Sequence, residues 1–336
     1  MSATKSGLVL IDKTPGWTSH DAVARTRRLA GTRKVGHAGT LDPMATGLLI
    51  LGINSSTRLL TYVVGLDKEY LATIRLGAST TTDDAEGDIL VAADAATVAA
   101  IEADAVTAGI SDLTGAIEQA PSSVSAIKVD GKRAYARVRA GEDVVLPKRP
   151  VTVSEFELLS STFVDGFLDL EVRVVCSSGT YIRALARDLG EALGVGGHLT
   201  SLRRTRIGPF GIDAAQTLEE LDIASVLIGP TDAATLLFPR LDLTAEQAVD
   251  LGHGKRIDLT GTSVSEIAAD SPIAAVAPGG RLVGLVTRRG SQGKTLVNFP
   301  PDEPDVPTGP DEPDKQAPDA PSVSAGTVAS ASDATS

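Results

Sequence analysis

The chain has 336 residues, enough for one large domain or two smaller ones with real hydrophobic cores. Its composition is 42% hydrophobic and 22% charged, which is ordinary for a globular protein, and no apolar run is long enough to span a membrane. The single cysteine, Cys176, excludes an internal disulfide framework, and neither a signal peptide nor zinc-ligand spacing is present, so we expect a cytoplasmic protein without a bound metal.

The formal net charge of −12 is distributed unevenly along the chain. Residues 301–336 carry −7 and residues 83–119 carry −9, whereas residues 1–82 carry +5 and residues 128–150 carry +4. A basic face that binds nucleic acid can therefore coexist with an acidic total. The alternative is that ordinary solvated surfaces produce these runs by chance.

The first half of the chain predicts strands and helices in alternation. Residues 19–30 are predicted to form an amphipathic helix, with Ser19 as its N-cap and Gly31 after its last turn. The apolar face of this helix consists of Ala22, Val23, Thr26, Leu29 and Ala30. Strands are predicted at residues 8–11, 48–53 and 70–76, and further helices at residues 57–64 and 92–108.

The second half predicts a strand, a helix and then a change of character. Residues 168–176 alternate strictly between apolar and polar side chains, which implies an antiparallel sheet with one covered face, and residues 181–193 have helical periodicity. Residues 235–300 predict a small β domain, with strands at residues 273–276, 281–286 and 295–299. The last stretch is rich in Pro, Asp, Ser, Ala and Thr, which predicts a disordered tail.

The segment GHAGTLDP holds a single carboxylate, Asp42, on a glycine-rich turn. The glycines at residues 36–39 permit close approach of another molecule, and Pro43 keeps Asp42 out of helical geometry. Taken alone, an aspartate before proline is more often a turn or cap residue than a catalytic one. His37, taken alone, is likewise more often structural.

Three further stretches carry side chains that suit RNA chemistry. LDKEYLATIRLG puts Tyr70 at the start of a strand, CSSGTYIRALARDLG opens a helix with Arg183, and LTSLRRTRIGPF has three arginines in four positions. Each has an ordinary alternative: a half-buried aromatic ring, a solvent-facing helix arginine and a solvated loop.

Together with IDKTPGWTSHDAV, these stretches resemble, in matching order from Gly7 to Phe210, the TruB family of bacterial tRNA pseudouridine synthases. The resemblance implies an α+β fold, with a mixed, largely antiparallel central sheet flanked by helices. It also implies a catalytic domain at residues 1–232 and a small PUA-like RNA-binding β domain at residues 233–300, before the tail at residues 301–336. The implied activity is conversion of the T-loop uridine at tRNA position 55 into pseudouridine.

The resemblance also implies roles for individual residues. Asp42 matches the essential aspartate, Tyr70 the tyrosine that stacks on the target base, and Arg183 the arginine that pairs with the aspartate. The residues implied in substrate binding or in support of the catalytic loop are His37, which enters the T-loop beside the flipped nucleotide, Leu202, Lys13, Pro15, Gly39 and Thr40.

One motif departs from the family pattern. The segment QAPSSVSAIK has Ser122 where the family commonly has a second proline, and Val124 where it has an aromatic residue. We expect activity to survive, because the other motifs are intact, but the departure removes the basis for packing residue 124 against RNA.

Pseudouridine formation gains and loses no atoms, so we expect no cofactor. The N1–C1′ bond must be labilised, and a carboxylate can do this as a nucleophile or as a base; the sequence leaves both open for Asp42. A close guanidinium lowers the pKa of a carboxylate that burial would raise, and Arg183 would supply it. The expected partner is the T-arm of tRNA, with no membrane, no obligatory protein partner and a monomeric enzyme.

Two other functions are compatible with the residues. An RNA-binding protein without catalysis would keep the basic runs but lose Asp42 or Arg183, and both are present. A glycoside hydrolase could use Asp42 as nucleophile, but that class needs a second carboxylate, and none lies close in sequence on the GHAGTLDP turn.

Overall fold

The computed structural model describes residues 5–122, 128–129, 132–133 and 147–302. Val124 and almost all of the predicted tail lie outside these ranges. Within them, no helix is long and apolar enough to cross a membrane.

Strands make up most of the regular structure. In chain order they are β1 (Gly7–Lys13), β2 (Val35–His37), β3 (Thr46–Ile53), β4 (Lys68–Leu76), β5 (Ala78–Thr80), β6 (Ile89–Ala92), β7 (Gly115–Gln119), β8 (Lys128–Val129), β9 (Lys132–Arg133), β10 (Arg149–Val164), β11 (Phe167–Cys176), β12 (Gly197–Ile207), β13 (Phe210–Gly211), β14 (Gln216–Thr217), β15 (Arg240–Asp242), β16 (Ile257–Asp258), β17 (Ile273–Val276), β18 (Leu282–Arg289) and β19 (Gln292–Asn298). The strands predicted near residues 8, 48, 70, 168, 273, 281 and 295 are thereby confirmed, with ends that differ by a few residues.

Ten of these strands form one large sheet in the order β14-β1-β3-β12-β4-β11-β10-β7, with β2 beside β3 and β13 beside β12. The pairs β1–β14 and β3–β12 are parallel, and the others are antiparallel. The sheet is therefore mixed and largely antiparallel, as predicted. Strands β1 and β3 are almost completely buried, because their apolar residues pack on both faces of the sheet.

Helices cover the sheet. They are α1 (Ser19–Ala30), α2 (Leu60–Val64), α3 (Ala95–Ala99), α4 (Ala103–Asp112), α5 (Ile182–Ala192), α6 (Ile223–Val226), α7 (Pro230–Leu237) and α8 (Ala245–Gly252), with 3₁₀ turns at Asn54–Leu59 and Ile212–Ala214. The helix predicted at residues 57–64 is thus a 3₁₀ turn followed by α2. The helix predicted at residues 181–193 is α5.

Helix α1 has the predicted bounds but not the predicted cap. Thr18 is the N-cap: its hydroxyl accepts from the Asp21 backbone N–H, and the Asp21 carboxylate accepts from the Thr18 backbone N–H. Ser19 is buried instead, and Leu29, predicted on the apolar face, is 41% exposed. Gly31 follows the helix in the left-handed conformation, at φ 62°, as predicted.

The helix predicted at residues 92–108 is wrong. Ala92 ends β6, and the alanine-rich stretch divides into α3 and α4. The Asp94 carboxylate caps α3, and Glu102 adopts an extended conformation that starts α4 anew. Alanine's helix propensity is therefore overridden by the turn between the two helices.

A second, five-stranded sheet has the order β15-β17-β18-β19-β16. It shares an apolar core with one face of the large sheet, and this core includes Leu8, Leu10, Leu48, Ile50, Val276, Leu285 and Phe299. Residues up to Asp302 accordingly form one compact unit, and the division into domains at residues 232–233 stays a prediction. At the end of this unit the Asp302 carboxylate accepts hydrogen bonds from the backbone N–H of Ser6, at 2.9 Å, and from its hydroxyl.

Candidate active site

A pocket of about 290 Å³ opens where the turn between β2 and β3 faces strands β4 and β12 and the N-terminus of α5. Its lining includes Gly39, Thr40, Asp42, Tyr70, Arg183 and Leu202 from the sequence prediction, and also Leu41, Val64, Lys68, Ser177, Ser178, Gly179, Thr180, Tyr181, Ile182 and Arg204. Lys13, Pro15 and His37 are not among the lining residues. The structure therefore brings six of the nine predicted site residues to one cavity.

The turn that carries Asp42 is held on both sides. The buried Lys13 ammonium donates to the carbonyls of Trp17, at 2.8 Å, and Pro43, at 3.2 Å. The Ser19 hydroxyl accepts from the Leu41 backbone N–H at 3.0 Å and lies 3.3 Å from the Leu41 carbonyl. The start of α1 and the end of β1 therefore fix the backbone immediately before and after Asp42.

Arg183 lies between two carboxylates. Its Nε is 3.0 Å from Oδ2 of Asp42, and its Nη1 is 3.0 Å from Oδ2 of Asp84 and 2.9 Å from the Thr82 carbonyl. The side chains of Arg183 and Asp84 are 6% and 3% exposed, whereas that of Asp42 is 36% exposed. One carboxylate is thus buried behind the guanidinium, and the other faces the pocket.

The pKa of the Asp42 carboxyl lies above its ordinary value. Burial is the largest cause, and the negative charge of Asp84 acts in the same direction. Arg183 lowers the pKa, as expected from the sequence, and Lys13 lowers it too, but together they do not offset the burial. Asp42 is therefore a more basic carboxylate than a free one.

Strands β4 and β12 form the floor of the pocket. They are antiparallel, with Tyr70 opposite Arg204 and Leu202 opposite Ala72, so Leu202 and Arg204 project on one side. Burial raises the pKa of the Tyr70 hydroxyl, and Arg204 opposes this only in part. Tyr70 is therefore protonated at neutral pH and offers an apolar ring with a donor at its end.

Arg204 is almost completely buried and binds the backbone of the turn that carries Asp42. Its Nε donates to the Leu48 carbonyl at 2.7 Å, and its Nη2 donates to the Gly39 carbonyl at 3.2 Å. Gly47, at φ 97°, lets β12 come this close, because a Cβ there would lie 2.2 Å from the Arg204 carbonyl oxygen. The sequence presents Arg204 only as one of three closely spaced arginines, which suit RNA binding or a solvated loop.

Lys68 is a second buried cation that the sequence motifs did not single out. Its ammonium donates to the carbonyls of Val64 and Leu66 at the end of α2, and 5% of the residue is exposed. Burial, with a smaller contribution from Arg204, lowers the pKa of Lys68 to about 8. Its position beside the pocket depends on the turn from α2 into β4, which no local motif reveals.

The loop before Arg183 is fixed by a two-way contact. The buried Gln119 side chain accepts from the Tyr181 backbone N–H at 2.8 Å and donates to the Tyr181 carbonyl at 3.0 Å. Ser122, the departure from the family motif, is buried and donates to the Thr82 carbonyl at 3.1 Å. Its hydroxyl therefore binds the same backbone carbonyl as Arg183 and supports the site from a third segment.

His37 ends β2 beside the pocket. Its ring packs edge-on against His20 at a centroid distance of 5.8 Å, and its buried Nδ1 has no hydrogen-bond partner among the described residues. Burial and the neighbouring His20 lower the pKa of His37, so its imidazole is neutral at pH 7. In the part of the chain that the structure describes, no group of three or more His, Cys, Asp or Glu could hold a metal ion.

Three family models match successive parts of the chain. The model described as TruB family pseudouridylate synthase (N terminal domain) matches residues 27–182. Models described as tRNA pseudouridylate synthase B C-terminal domain and tRNA Pseudouridine synthase II, C terminal, match residues 183–247 and 238–300.

Curated relatives match over nearly their whole length. The tRNA pseudouridine synthase B of Leifsonia xyli is 65% identical over 303 residues, covering 90% of this chain and 99% of its own. The proteins of the same name from Paenarthrobacter aurescens and Streptomyces avermitilis are 56% and 52% identical, each covering 88% of this chain and 96% and 98% of their own.

Solved structures carry the same fold. A chain of an H/ACA ribonucleoprotein bound to a substrate RNA containing 2′-deoxyuridine superposes with a TM-score of 0.65 and 23% identity, covering 88% of this chain and 85% of that one. A chain of an archaeal box H/ACA complex gives a TM-score of 0.64 at 24% identity, covering 89% and 88%. At this identity the likeness extends to the fold alone.

Proposed function

The chain belongs to the TruB family of tRNA pseudouridine synthases and isomerises uridine to pseudouridine in tRNA, and from that premise we propose which residues perform the reaction and which uridine they act on. Asp42 is the catalytic carboxylate, Arg183 holds it, and Tyr70 stacks on the base. The target is the T-loop uridine at position 55. The observation that carries the proposal is the asymmetric arrangement of one guanidinium between a buried and a pocket-facing carboxylate.

The reaction needs one group close to the sugar of the target nucleotide. The N1–C1′ bond breaks, the base turns, and a C5–C1′ bond forms; C5 then loses a proton and N1 gains one. Arg183 engages Oδ2 of Asp42, so Oδ1 is free to approach the sugar as nucleophile or base. Because burial keeps Asp42 more basic than a free carboxylate, either role is strengthened relative to an exposed aspartate.

The base must leave the RNA stack to reach this pocket. Tyr70 supplies a ring on which a flipped pyrimidine can stack, worth about 1–3 kcal/mol. Leu202 supplies an apolar surface beside it, and Gly39 and Thr40 line the wall formed by the turn. His37 lies next to this turn with a neutral ring, which suits it to stack in the RNA where the target base had been.

The hydrolase alternative is disfavoured by the position of the second carboxylate. A glycosidase needs that group as an acid or base beside the substrate. Asp84 is the carboxylate that approaches Asp42, but it is 3% exposed and bound to Arg183. It therefore cannot protonate a leaving group, and its role is to hold the guanidinium.

The decisive experiment compares wild type with Asp42→Asn and with Asp67→Asn, which makes the same change at an exposed aspartate. A T-arm stem–loop and full-length tRNA, each carrying 5-tritiated uridine, would be assayed for tritium release and for binding. We expect Asp42→Asn to bind both RNAs without releasing tritium and Asp67→Asn to behave as wild type. Release by Asp42→Asn at the wild-type rate would overturn the catalytic assignment. Release from a site other than position 55 would overturn the target.

Oligomeric state, location and the small sheet complete the proposal. We propose that the enzyme is a monomer and that it acts on tRNA in the cytoplasm. We also propose that residues 233–300 are an RNA-binding module, since their strands form a separate sheet. Light scattering of the free enzyme tests the monomer, and a dimer mass at micromolar concentration would contradict it. Fractionation of cells tests the location, and recovery in the membrane fraction would contradict it. Crosslinking of residues 233–300 to tRNA tests the module, and its absence would contradict that role.

A further inference from the structure

The end of helix α1 carries a group of positive charges that the catalytic pocket does not use. Arg27, Arg28, Thr32 and Arg33 surround an open depression, here called the α1 patch. Residues 22–41 contain five basic residues and no acidic one, and Lys34 adjoins the patch. Among the described residues, no carboxylate forms an ion pair with Arg28 or Arg33.

Carboxylates neutralise several other arginines at the surface of the molecule. Arg75 pairs with Asp169, Arg203 with Asp12 and Arg289 with Asp270. The helix dipole accounts for basic residues in the last turn of α1, where Arg27 and Arg28 lie. It does not account for Arg33, which lies beyond the helix.

The backbone that presents these charges is held in place. The Thr32 hydroxyl donates to the Asn54 side chain at 2.9 Å, and the Asn54 backbone N–H donates to the Lys34 carbonyl at 2.8 Å. Arg27 donates to the Val35 carbonyl at 3.1 Å, which ties α1 to β2. The guanidinium groups of Arg28 and Arg33 therefore extend from a fixed turn toward solvent.

The patch has a defined distance from the active site. Helix α1 starts at the catalytic turn, where Ser19 contacts Leu41, and ends at the patch. Its 12 residues make it about 18 Å long. An RNA that places a base in the pocket extends well beyond that distance, so its backbone can reach both sites.

We propose that the α1 patch is a second RNA contact, in which Arg28 and Arg33 bind backbone phosphates of the tRNA whose uridine occupies the pocket. This inference rests on the proposed function. Guanidinium groups that no carboxylate neutralises bind phosphate strongly, through paired charge-assisted hydrogen bonds. Such contacts carry no sequence information, so the patch contributes affinity and register while the pocket selects the uridine.

The test uses the full chain, an unmodified tRNA transcript and the double variant Arg28→Gln/Arg33→Gln. We expect the Kd to rise about tenfold, and the slope of log Kd against log salt to fall by about 2, because the variant cannot bind two of the phosphates. Single-turnover tritium release at saturating enzyme should equal that of wild type, since the catalytic turn is untouched. Arg75→Gln, which removes one positive charge from an arginine paired with Asp169, should leave the Kd within about twofold.

Two results would overturn the proposal. One is an unchanged Kd and salt slope in the double variant. The other is an equal loss of affinity per removed charge in Arg75→Gln, which would mean that only net charge matters. A thermal unfolding curve matching wild type excludes misfolding, and the single variant Arg33→Gln, outside the helix, repeats the test if the double variant is unstable. Failure here is distinguishable from failure of the catalytic proposal, because Asp42→Asn predicts the opposite pattern: binding retained and release abolished.

Discussion

Arg183 determines how the two carboxylates of the site differ. Both Asp42 and Asp84 contact it at 3.0 Å, yet one faces the pocket and the other is buried. The buried contact restrains the guanidinium without competing for substrate. The rate should therefore depend on Asp84 although Asp84 does not reach the substrate.

We expect Asp84→Asn to lower kcat by about 10- to 100-fold with little change in tRNA binding, because Arg183 loses its buried ion pair with Asp84. The acid limb of the plot of rate against pH should shift as well. Asp84 raises the pKa of Asp42, and the ionised form of Asp42 is the active one, so removing the charge should shift this limb to lower pH.

Single-turnover rates measured from pH 4 to 8 check both effects. Asp83→Asn is the matched control, since the ion pair of Asp83 is formed with Arg187. An acid limb that stays in place in Asp84→Asn, or a control that loses as much activity, would contradict this account.

Lys68 gives a second prediction, on stability. Its pKa is about 8 in the folded protein and 10.5 in an exposed chain, so between these values the unfolded state binds more protons. Its contribution to the free energy of unfolding should therefore rise with pH across this window, by up to about 3 kcal/mol.

The measurement is the urea-unfolding free energy of wild type and Lys68→Met at pH 7.5 and pH 10. Subtracting the unfolding free energy of the variant from that of the wild type removes the contributions of all other titrating groups. The wild type should gain stability relative to the variant at the higher pH, and parallel pH dependences would show that Lys68 titrates normally.

At the residue scale, the sequence could predict the groups carried by local motifs. Asp42, Tyr70 and Arg183 each lie in a short sequence motif, and the structure brings them to one pocket. It could not predict Asp84 or Lys68 as neighbours, because their positions depend on contacts with segments distant in the chain. The direction of the Asp42 pKa shift could not be predicted either, because the burial that raises this pKa depends on segments distant in the chain.

At the scale of elements, α1 links folding to the site. Its predicted bounds were right because apolar spacing and Gly31 define them, but Thr18 and Ser19 could not be distinguished as caps. Either hydroxyl suits an N-cap by type. Thr18 is the N-cap because the Ser19 hydroxyl instead accepts a hydrogen bond from Leu41, which lies outside the helix.

Paired alanine variants separate the two hydroxyls. Thr18→Ala should cost about 1 kcal/mol of unfolding free energy, because the cap is removed, and leave the single-turnover rate near wild type. Ser19→Ala should cost a similar amount but also lower the rate, because the turn before Asp42 loses its anchor. Denaturant unfolding and tritium release on both variants make the comparison. Equal rates in the two would mean that Ser19 does not position the turn.

At the scale of the whole molecule, the two sheets share one core. Strand patterns predicted both the largely antiparallel main sheet and the small C-terminal sheet. They could not predict that Phe299 packs with Leu8 and Ile50, since apolar residues on a strand do not specify which surface they cover. The structure thus joins two predicted modules through side chains near opposite ends of the compact unit.

Phe299→Ala should therefore destabilise both sheets together, by about 3–5 kcal/mol. The single tryptophan, Trp17, reports on the large sheet, while far-UV circular dichroism reports on all strands. Both transitions should shift to the same lower temperature. Leu296→Ala, at a 45% exposed position, should shift neither appreciably. A Trp17 transition that stays in place would mean that the small sheet unfolds independently.

The hydrogen bonds between Ser6 and Asp302 have a topological consequence. They place the Asp302 carboxylate 2.9 Å from the Ser6 backbone nitrogen, so the two segments lie side by side and a short peptide can join them and close the backbone into a ring. The ring can then be reopened at the Asp165–Gly166 turn between β10 and β11, where both residues have positive φ. Such a circular permutant should fold and modify tRNA, and an insoluble or inactive product would contradict this. Its new ends would lie at a hairpin tip, leaving the strands that carry the pocket uncut.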